Sequence, residues 1–236
     1  MIKIEDVEVM GMRKAIKGMR NAMNSWDKRD SRLFFCHEII CALCPYESLD
    51  SIECDNKSHF IIGEKDMELA KRLIKAGSPD RKFLRMIHVQ FDITAPETFL
   101  MQLDTYKVGT VPNSTSKMHT IHKRDLTVDD FSHDYTPVEE FQPIVDRLNE
   151  LRSFYITSNN RAYWNALIEQ LPMSFMQRRT MDMNYETLFN IYHQRKHHKL
   201  NDWHTFCDWI ETLPYMKEFL GLDEQTEKGR ENDKEV

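Results

Sequence analysis

The stretch "IHVQFDIT" alternates Ile87, Val89, Phe91 and Ile93 with His88, Gln90 and Asp92. Strict alternation marks a strand with one face packed and the other polar. A chain that contains it must form a sheet and must cover one side of that sheet. The residues that follow begin the covering layer, because Pro96 opens "PETFLMQLD" where its missing N–H costs nothing, and that segment reads as a short amphipathic helix. Upstream, "IKIEDVEVMG" reads as a first strand ending at Gly11, and "MRKAIKGMRNAMNSW" as a basic helix or turn-helix leading to Ser25 and Trp26. "EKDMELAKRLIKAG" sets Met67, Ala70, Leu73 and Ile74 at helical spacing and ends at Gly77, a residue suited to a helix C-terminus.

Beyond residue 136 the pattern becomes helical. "PVEEFQPIVDRLNELRSFYIT" places Ile144, Leu148, Leu151 and Tyr155 on one stripe, and "RAYWNALIEQLP" continues the pattern to Pro172. "NYETLFNIYHQRKHHKL" and "NDWHTFCDWIETLP" read as two more helices, the second ended near Pro214. The expected class is α/β in the α+β sense, with a β-containing half followed by a mostly helical half. At 236 residues a single domain over 1–222 is expected, with a disordered tail over 223–236, where six acids stand against three bases and almost nothing is apolar.

A net charge of −6 argues against duplex nucleic acid as a partner. The N-terminus carries acids where a signal peptide has its apolar run, and no segment approaches 18 consecutive apolar residues, so no membrane segment and a cytoplasmic location are expected. Four of the five cysteines cluster as Cys36, Cys41, Cys44 and Cys54, with His37 among them. Cys41 and Cys44 have a zinc-site step, but the other spacings fit no tetrahedral set, and the apolar run "LFFCHEIICALC" favours structural cysteines over a metal. His193 and His197 lie four apart, yet Gln194 stands where zinc proteases need glutamate. Neutral histidines beside Arg195 and Lys196 are the preferred reading, and no metal is expected.

The strongest chemical signal is "LDTYKVGTVPNSTSKMH", Leu103 to His119, a polar stretch too long for a tight turn. Its hydroxyls, lysines and backbone N–H groups suit an anion. "LPMSFMQRRTMDMNYETLFNIYHQR" complements it. Between them, Arg178, Arg179, Arg195, Lys107 and Lys117 supply cations, Gln102, Asn184 and Asn190 supply amides, and Tyr106 and Tyr185 supply flat faces, the mix a nucleotide or flavin needs.

The order of these segments resembles the flavin-dependent thymidylate synthases from Val7 to about Cys207. "VEVMG", "MNSWD", "FDITAP", Gln102 before the polar stretch, Leu171-Pro172 and "LFNIYHQR" fall where that family has comparable residues. Residues 27–64 are extra sequence that the resemblance does not cover. The counterpart of the family's hallmark, RHRxxSxNxxSxR, is "TYKVGTVPNSTSK". Thr105, Tyr106 and Lys107 stand for its Arg-His-Arg, Thr110 and Thr115 for its serines, Pro112 for its asparagine and Lys117 for its last arginine. A phosphate-binding arginine of the family falls at Ile168.

The resemblance implies a central, mostly antiparallel sheet with flanking helices and a homotetramer with active sites at subunit interfaces. It implies reductive methylation of dUMP or a related pyrimidine deoxynucleotide on FAD, with methylenetetrahydrofolate and NADPH as co-substrates and no protein cysteine attacking the base. It places Gln102, Thr115, Ser116, Lys117 and Arg195 on the nucleotide, with Thr115, Lys117 and Arg195 as the catalytic set. Ser25, Thr105, Tyr106, Lys107, Asn184, Asn190 and His198 fall on the flavin. The alternative is a diverged, non-catalytic nucleotide- or protein-binding member of the fold, and a zinc-stabilised interaction protein is a third class resting on the cysteines alone.

Overall fold

The computed structural model describes residues 2–35 and 58–222. Cys36, Cys41, Cys44, Cys54, His37 and the acidic tail lie outside the described residues, and so do the expectations attached to them. The elements are β1 (Lys3–Met10), α1 (Met12–Gly18), β2 (Arg32–Phe35), β3 (Ser58–Ile61), α2 (Glu64–Ala76), β4 (His88–Pro96), α3 (Glu97–Leu103), β5 (Thr110–Ser114), α4 (Lys117–Thr120), α5 (Val138–Ser158), α6 (Arg161–Glu169), β6 (Met176–Asn184), α7 (Tyr185–Arg195), α8 (Asn201–Thr212) and α9 (Met216–Leu220). A four-stranded sheet has the order β1-β4-β6-β5, and β2 and β3 form an antiparallel ribbon in which Arg32 faces Ile61 and Leu33 faces Phe60. No helix of the described residues is long and apolar enough to cross a membrane.

The alternation in β4 has the expected outcome: Ile87, Val89, Phe91 and Ile93 are buried. β6 alternates too, with Gln177, Arg179, Met181 and Met183 buried. The mostly helical half therefore contributes a strand that its sequence concealed, since two of its four inward residues are polar.

The chain divides into two compact units. The first comprises Met1–Ile4, Asp92–Lys107 and Pro112–Thr180. Its core is formed by α5 and α6 with the segments before them, and buries Ile121, Leu126, Phe131, Phe141, Val145, Leu148, Leu151 and Leu167. The inward stripe of α5 is thus Phe141, Val145, Leu148 and Leu151. Ile144, expected on that stripe, is 42% exposed. Leu148 and Leu151 face inward as expected, and Val145 packs in place of Ile144 because the stripe runs back from them to Phe141, four residues before Val145.

The second unit comprises Glu5–Phe91, Val108–Val111 and Met181–Val236. α7 packs on α8 and on a short 3-10 helix (Lys82–Met86), and α8 on α9. Trp203, Phe206, Ile210 and Met216 are buried there, and the Phe91 ring meets Trp209 at a tilt of 49° with centroids 4.6 Å apart. Gly77 ends α2 at φ 109°, as the sequence predicts.

A polar staple joins the segment before β2 to the start of α2. Asp66, fully buried on α2, accepts from Arg20 Nε at 2.6 Å, from Ser31 Oγ at 2.5 Å and from Ser31 N at 3.1 Å. Ser31 Oγ in turn accepts from Gly63 N at 3.1 Å. Asp30 caps the first turn of α2 by accepting from Lys65 N at 2.8 Å and Asp66 N at 3.1 Å. These residues lie on either side of residues 32–61 in the chain. The buried hydroxyl of Tyr215 adds a tie to β3, donating to Phe60 O and accepting from Ile62 N.

Candidate functional site

The polar stretch 103–119 is more ordered than a loop. Its centre is β5, the edge strand beside β6, and its end is the short helix α4. An edge strand tolerates Pro112, whose missing N–H leaves no ladder partner unmet when it faces away from the sheet. Thr115 N and Oγ1 both donate to Arg178 O, at 3.0 and 3.1 Å, while Gln177 Nε2 donates to Thr115 O at 2.7 Å. Thr105 Oγ1 donates to Gln102 O, closing α3, with Tyr106 half-buried and Lys107 exposed just beyond. Ser116 precedes α4, and its carbonyl accepts from Thr120 Oγ1 at 2.7 Å.

At the tip of the stretch, Gly109 sits at φ 69° against Asn184. A Cβ there would lie 1.9 Å from Asn184 Nδ2, so only glycine fits this approach. Asn184 caps α7, its Oδ1 accepting from Thr187 N at 2.9 Å and Thr187 Oγ1 at 3.1 Å. Asn184 N donates to Gly109 O, and Thr187 Oγ1 donates to Val108 O. The first turn of α7 is therefore the anchor for the 108–109 turn.

Further along α7, Asn190 Oδ1 accepts from Arg81 Nη2 at 2.9 Å. Arg81 Nε is within bonding distance of both carboxylate oxygens of Glu186, at 3.1 and 3.0 Å, and the guanidinium lies over the Phe189 ring at 4.5 Å. Arg195 stands 4.7 Å over the ring of buried Trp203, and the His198 ring meets the same indole edge-on. His198 Nδ1 accepts from Leu200 N, which makes Nε2 the protonated nitrogen of the neutral ring. Burial first, then Arg195, His204 and Lys199, hold the His198 pKa below the usual imidazole value. His193 is lowered likewise by burial, Lys196 and Arg81. Both outcomes match the neutral histidines expected from the sequence. Ser25 is half-buried before a 3-10 turn (Trp26–Lys28), its N–H donating to Arg20 O.

Two residues expected at the site are structural instead. Tyr185 is fully buried and donates to Pro214 O at 3.0 Å, so its face packs in the core. Arg179 is buried and donates to Gln177 Oε1 and Asp104 Oδ1, which fixes the end of α3 rather than a ligand. Ile168, where the resemblance puts a phosphate arginine, packs against the first unit's core. Burial, with Asp208 and Glu211, pushes the Cys207 thiol up to about 12, so it stays protonated and is no nucleophile.

Within the first unit a cleft of about 420 Å³ opens beside Thr115 and Lys117. Ile121, Leu126, Phe175 and Met176 give it an apolar wall, while Thr94, Thr115 and Thr120 bring hydroxyls. Lys117, Arg124, Arg178, Asp129 and Asp130 complete the lining. Lys117 Nζ pairs with Glu97 at 2.9 Å, Arg178 Nη2 with Asp92 at 2.5 Å, and Arg124 binds Asp130 through two nitrogens. The hydrogen bond from Thr180, then that from Arg178, holds Asp92 below the usual carboxylate range. Burial would raise Asp130, but the bonds from Arg124 and Thr127 outweigh it and lower its pKa. Sequence reasoning singled out Thr115 and Lys117 and missed Arg124 and Asp130. The Thr127–Asp130 capping box was a legible signal, since it fixes Asp130 at the base of a turn.

No family model matches the chain, and no curated protein sequence matches it. Solved structures do. A crystal structure of thymidylate synthase X (ThyX) from Helicobacter pylori with FAD and dUMP superposes with a TM-score of 0.67 at 14% identity, covering 93% of this chain and 97% of that one. A second structure of the flavin-dependent thymidylate synthase ThyX from the same organism, complexed with FAD and dUMP, gives 0.65 at 14% identity over 92% and 97%. The chain therefore has the fold of the flavin-dependent thymidylate synthases, as the order of its sequence segments implies.

Proposed function

We propose that the protein binds FAD and a pyrimidine deoxynucleotide and performs reductive methylation of dUMP or a related nucleotide, with methylenetetrahydrofolate and NADPH as co-substrates. The observation that carries this reading is a fold shared over nine-tenths of the chain with an enzyme crystallised with FAD and dUMP. The cleft adds chemical support, because it sets Thr115 and Lys117 beside an apolar wall suited to a pyrimidine ring. Gln102, Thr115, Ser116, Lys117 and Arg195 are the proposed nucleotide residues, with Thr115, Lys117 and Arg195 the catalytic set. Ser25, Thr105, Tyr106, Lys107, Asn184, Asn190 and His198 are proposed for the flavin, in a homotetramer with sites at subunit interfaces.

The residues present fit a flavin nucleotide. Lys107 offers an exposed cation for its phosphates and Tyr106 a ring. Asn184 and Asn190 have their oxygens engaged by Thr187 and Arg81, which directs their amide NH2 groups to act as donors. When bound, FAD supplies the hydride that completes the methyl group. The protein's part is to orient the nucleotide, offer Lys117 to its phosphate, and shield the reacting atoms from water.

One observation favours the second reading, a non-catalytic nucleotide- or protein-binding member of the fold. Four of the residues proposed for the ligands have internal contacts: Lys117 with Glu97, Asn184 with Thr187, Asn190 with Arg81 and Arg195 with Trp203. Titration of the purified protein with FAD, followed by absorbance and flavin fluorescence, comes first. Assay for thymidylate formation from dUMP, methylenetetrahydrofolate and NADPH follows. Flavin uptake with product formation supports the enzyme, flavin or dUMP binding without product supports the second reading, and no response to either ligand removes the nucleotide reading.

A further inference from the structure

The three ion pairs around the cleft share an asymmetry. Side-chain exposure is 64% for Arg124 against 14% for Asp130, 53% for Arg178 against 17% for Asp92, and 26% for Lys117 against 15% for Glu97. In every pair the carboxylate is the more buried member and the cation the more exposed. The acids hold the cations from behind, fixing long side chains that would otherwise lose much rotamer entropy on meeting a ligand. Asp130 is itself fixed by the capping box with Thr127, and Asp92 by Thr180 Oγ1 at 2.5 Å. A guanidinium has five N–H donors, so a carboxylate bound to one edge leaves it able to donate elsewhere. Thr94, Thr115 and Thr120 line the same cleft as Phe175 and Met176, with the hydroxyl protons of Thr115 and Thr120 given to Arg178 O and Ser116 O.

We infer that Arg124 and Arg178, with Lys117, form an anion clamp in this cleft whose ligand is a phosphorylated compound bearing a flat ring. The inference rests on the proposed function, which already places the nucleotide on Thr115 and Lys117 of this cleft, and dUMP is therefore the first probe. The cleft's volume lies in the range of small-ligand sites, about 300–1,000 Å³, and the sharing of cations and apolar wall suits a mononucleotide better than a bare ion. Asp129, exposed in the lining, is the carboxylate that opposes an incoming anion.

Calorimetric titration of the full chain with dUMP, deoxyuridine and AMP tests this, using the wild type and the variants Arg124→Gln, Arg178→Gln and Asp129→Asn. Loss of one charge-assisted contact should weaken dUMP binding roughly 10- to 100-fold in each arginine variant and leave deoxyuridine unaffected. Asp129→Asn, which leaves all three pairs in place and so cannot fail by misfolding of the clamp, should tighten dUMP binding roughly two- to fivefold. If dUMP binds the wild type and the arginine variants equally, the clamp is refuted while the proposed function stands. If AMP binds in an arginine-dependent way and dUMP does not bind, the clamp stands and the pyrimidine reading falls. Failure of the wild type to bind any phosphorylated probe overturns both.

Discussion

Replacing Asp66 with asparagine tests the staple at the head of α2. Asp66 receives Arg20 Nε, Ser31 N and Ser31 Oγ, and both it and Arg20 are buried. Asparagine keeps one acceptor oxygen but turns an NH2 toward donors that need an acceptor, and it strips the buried guanidinium of its counter-charge. Breaking a buried pair from one side costs about 3–5 kcal/mol. For a chain of this length each kcal/mol moves the midpoint by about 2–4 °C, so Asp66→Asn should lower Tm by about 6–20 °C. Burial pushes the Asp66 pKa up, yet the hydrogen bonds from Ser31 and Arg20 outweigh it and set it below its ordinary value. A depressed folded pKa means that its stabilisation is full above the unfolded value of about 3.9 and is lost as pH falls through the folded one. Urea denaturation across a pH series should therefore show a wild-type advantage that is constant near neutrality and shrinks below about pH 4. The double variant Arg20→Met/Asp66→Leu should recover much of the loss, because an apolar pair removes both charges together. An Asp66→Asn protein within 1 kcal/mol of wild type at pH 7, where a broken buried pair should cost about 3–5 kcal/mol, would refute the reasoning.

Gly109→Ala should destabilise by about 2–3 kcal/mol, from the left-handed backbone and the displaced Asn184 cap; denaturation measures it, and a neutral result would mean that the 108–109 turn does not rest on α7. Arg195→Ala should weaken dUMP binding tens-fold, on the order of 2 kcal/mol, with FAD binding intact. Stability should fall by only about 0.5–1 kcal/mol from the lost stacking on Trp203. Arg195→Lys should restore part of the binding, since the charge returns without the planar fork. Unchanged nucleotide affinity in Arg195→Ala would remove that residue from the site.

The elements best read from sequence are those whose side chains speak for one face. In β4 every inward residue is apolar, and in α2 the stripe ends on Gly77, so local chemistry and final structure agree. β6 went unread because Gln177 and Arg179 point inward, and their burial is tolerable only through Thr115 O and Asp104, distant in sequence. On α5, Leu148 and Leu151 face inward as expected, but Val145 takes the place of Ile144, because the two are equally apolar and only packing chooses between them. At the site, Thr115 and Lys117 were legible as donors, whereas the cleft was not: Arg178 meets Asp92 across 86 positions of chain. The order of short motifs carried the fold where pairwise identity, at 14%, is too low to do so.

The staple between Ser31 and Gly63 has a consequence for how such a chain changes over generations. Ser31 and Gly63, which flank positions 32–61, are bonded to each other, and Ser31 and Asp30 are bonded to α2. Once the ends are pinned, doubling the enclosed length costs only about 0.6 kcal/mol of closure entropy. A change in the number of residues there leaves Ser31, Gly63, Asp30 and Asp66 with the same donors and acceptors. The bonds that hold the start of α2 are thus independent of whatever sequence stands between their partners.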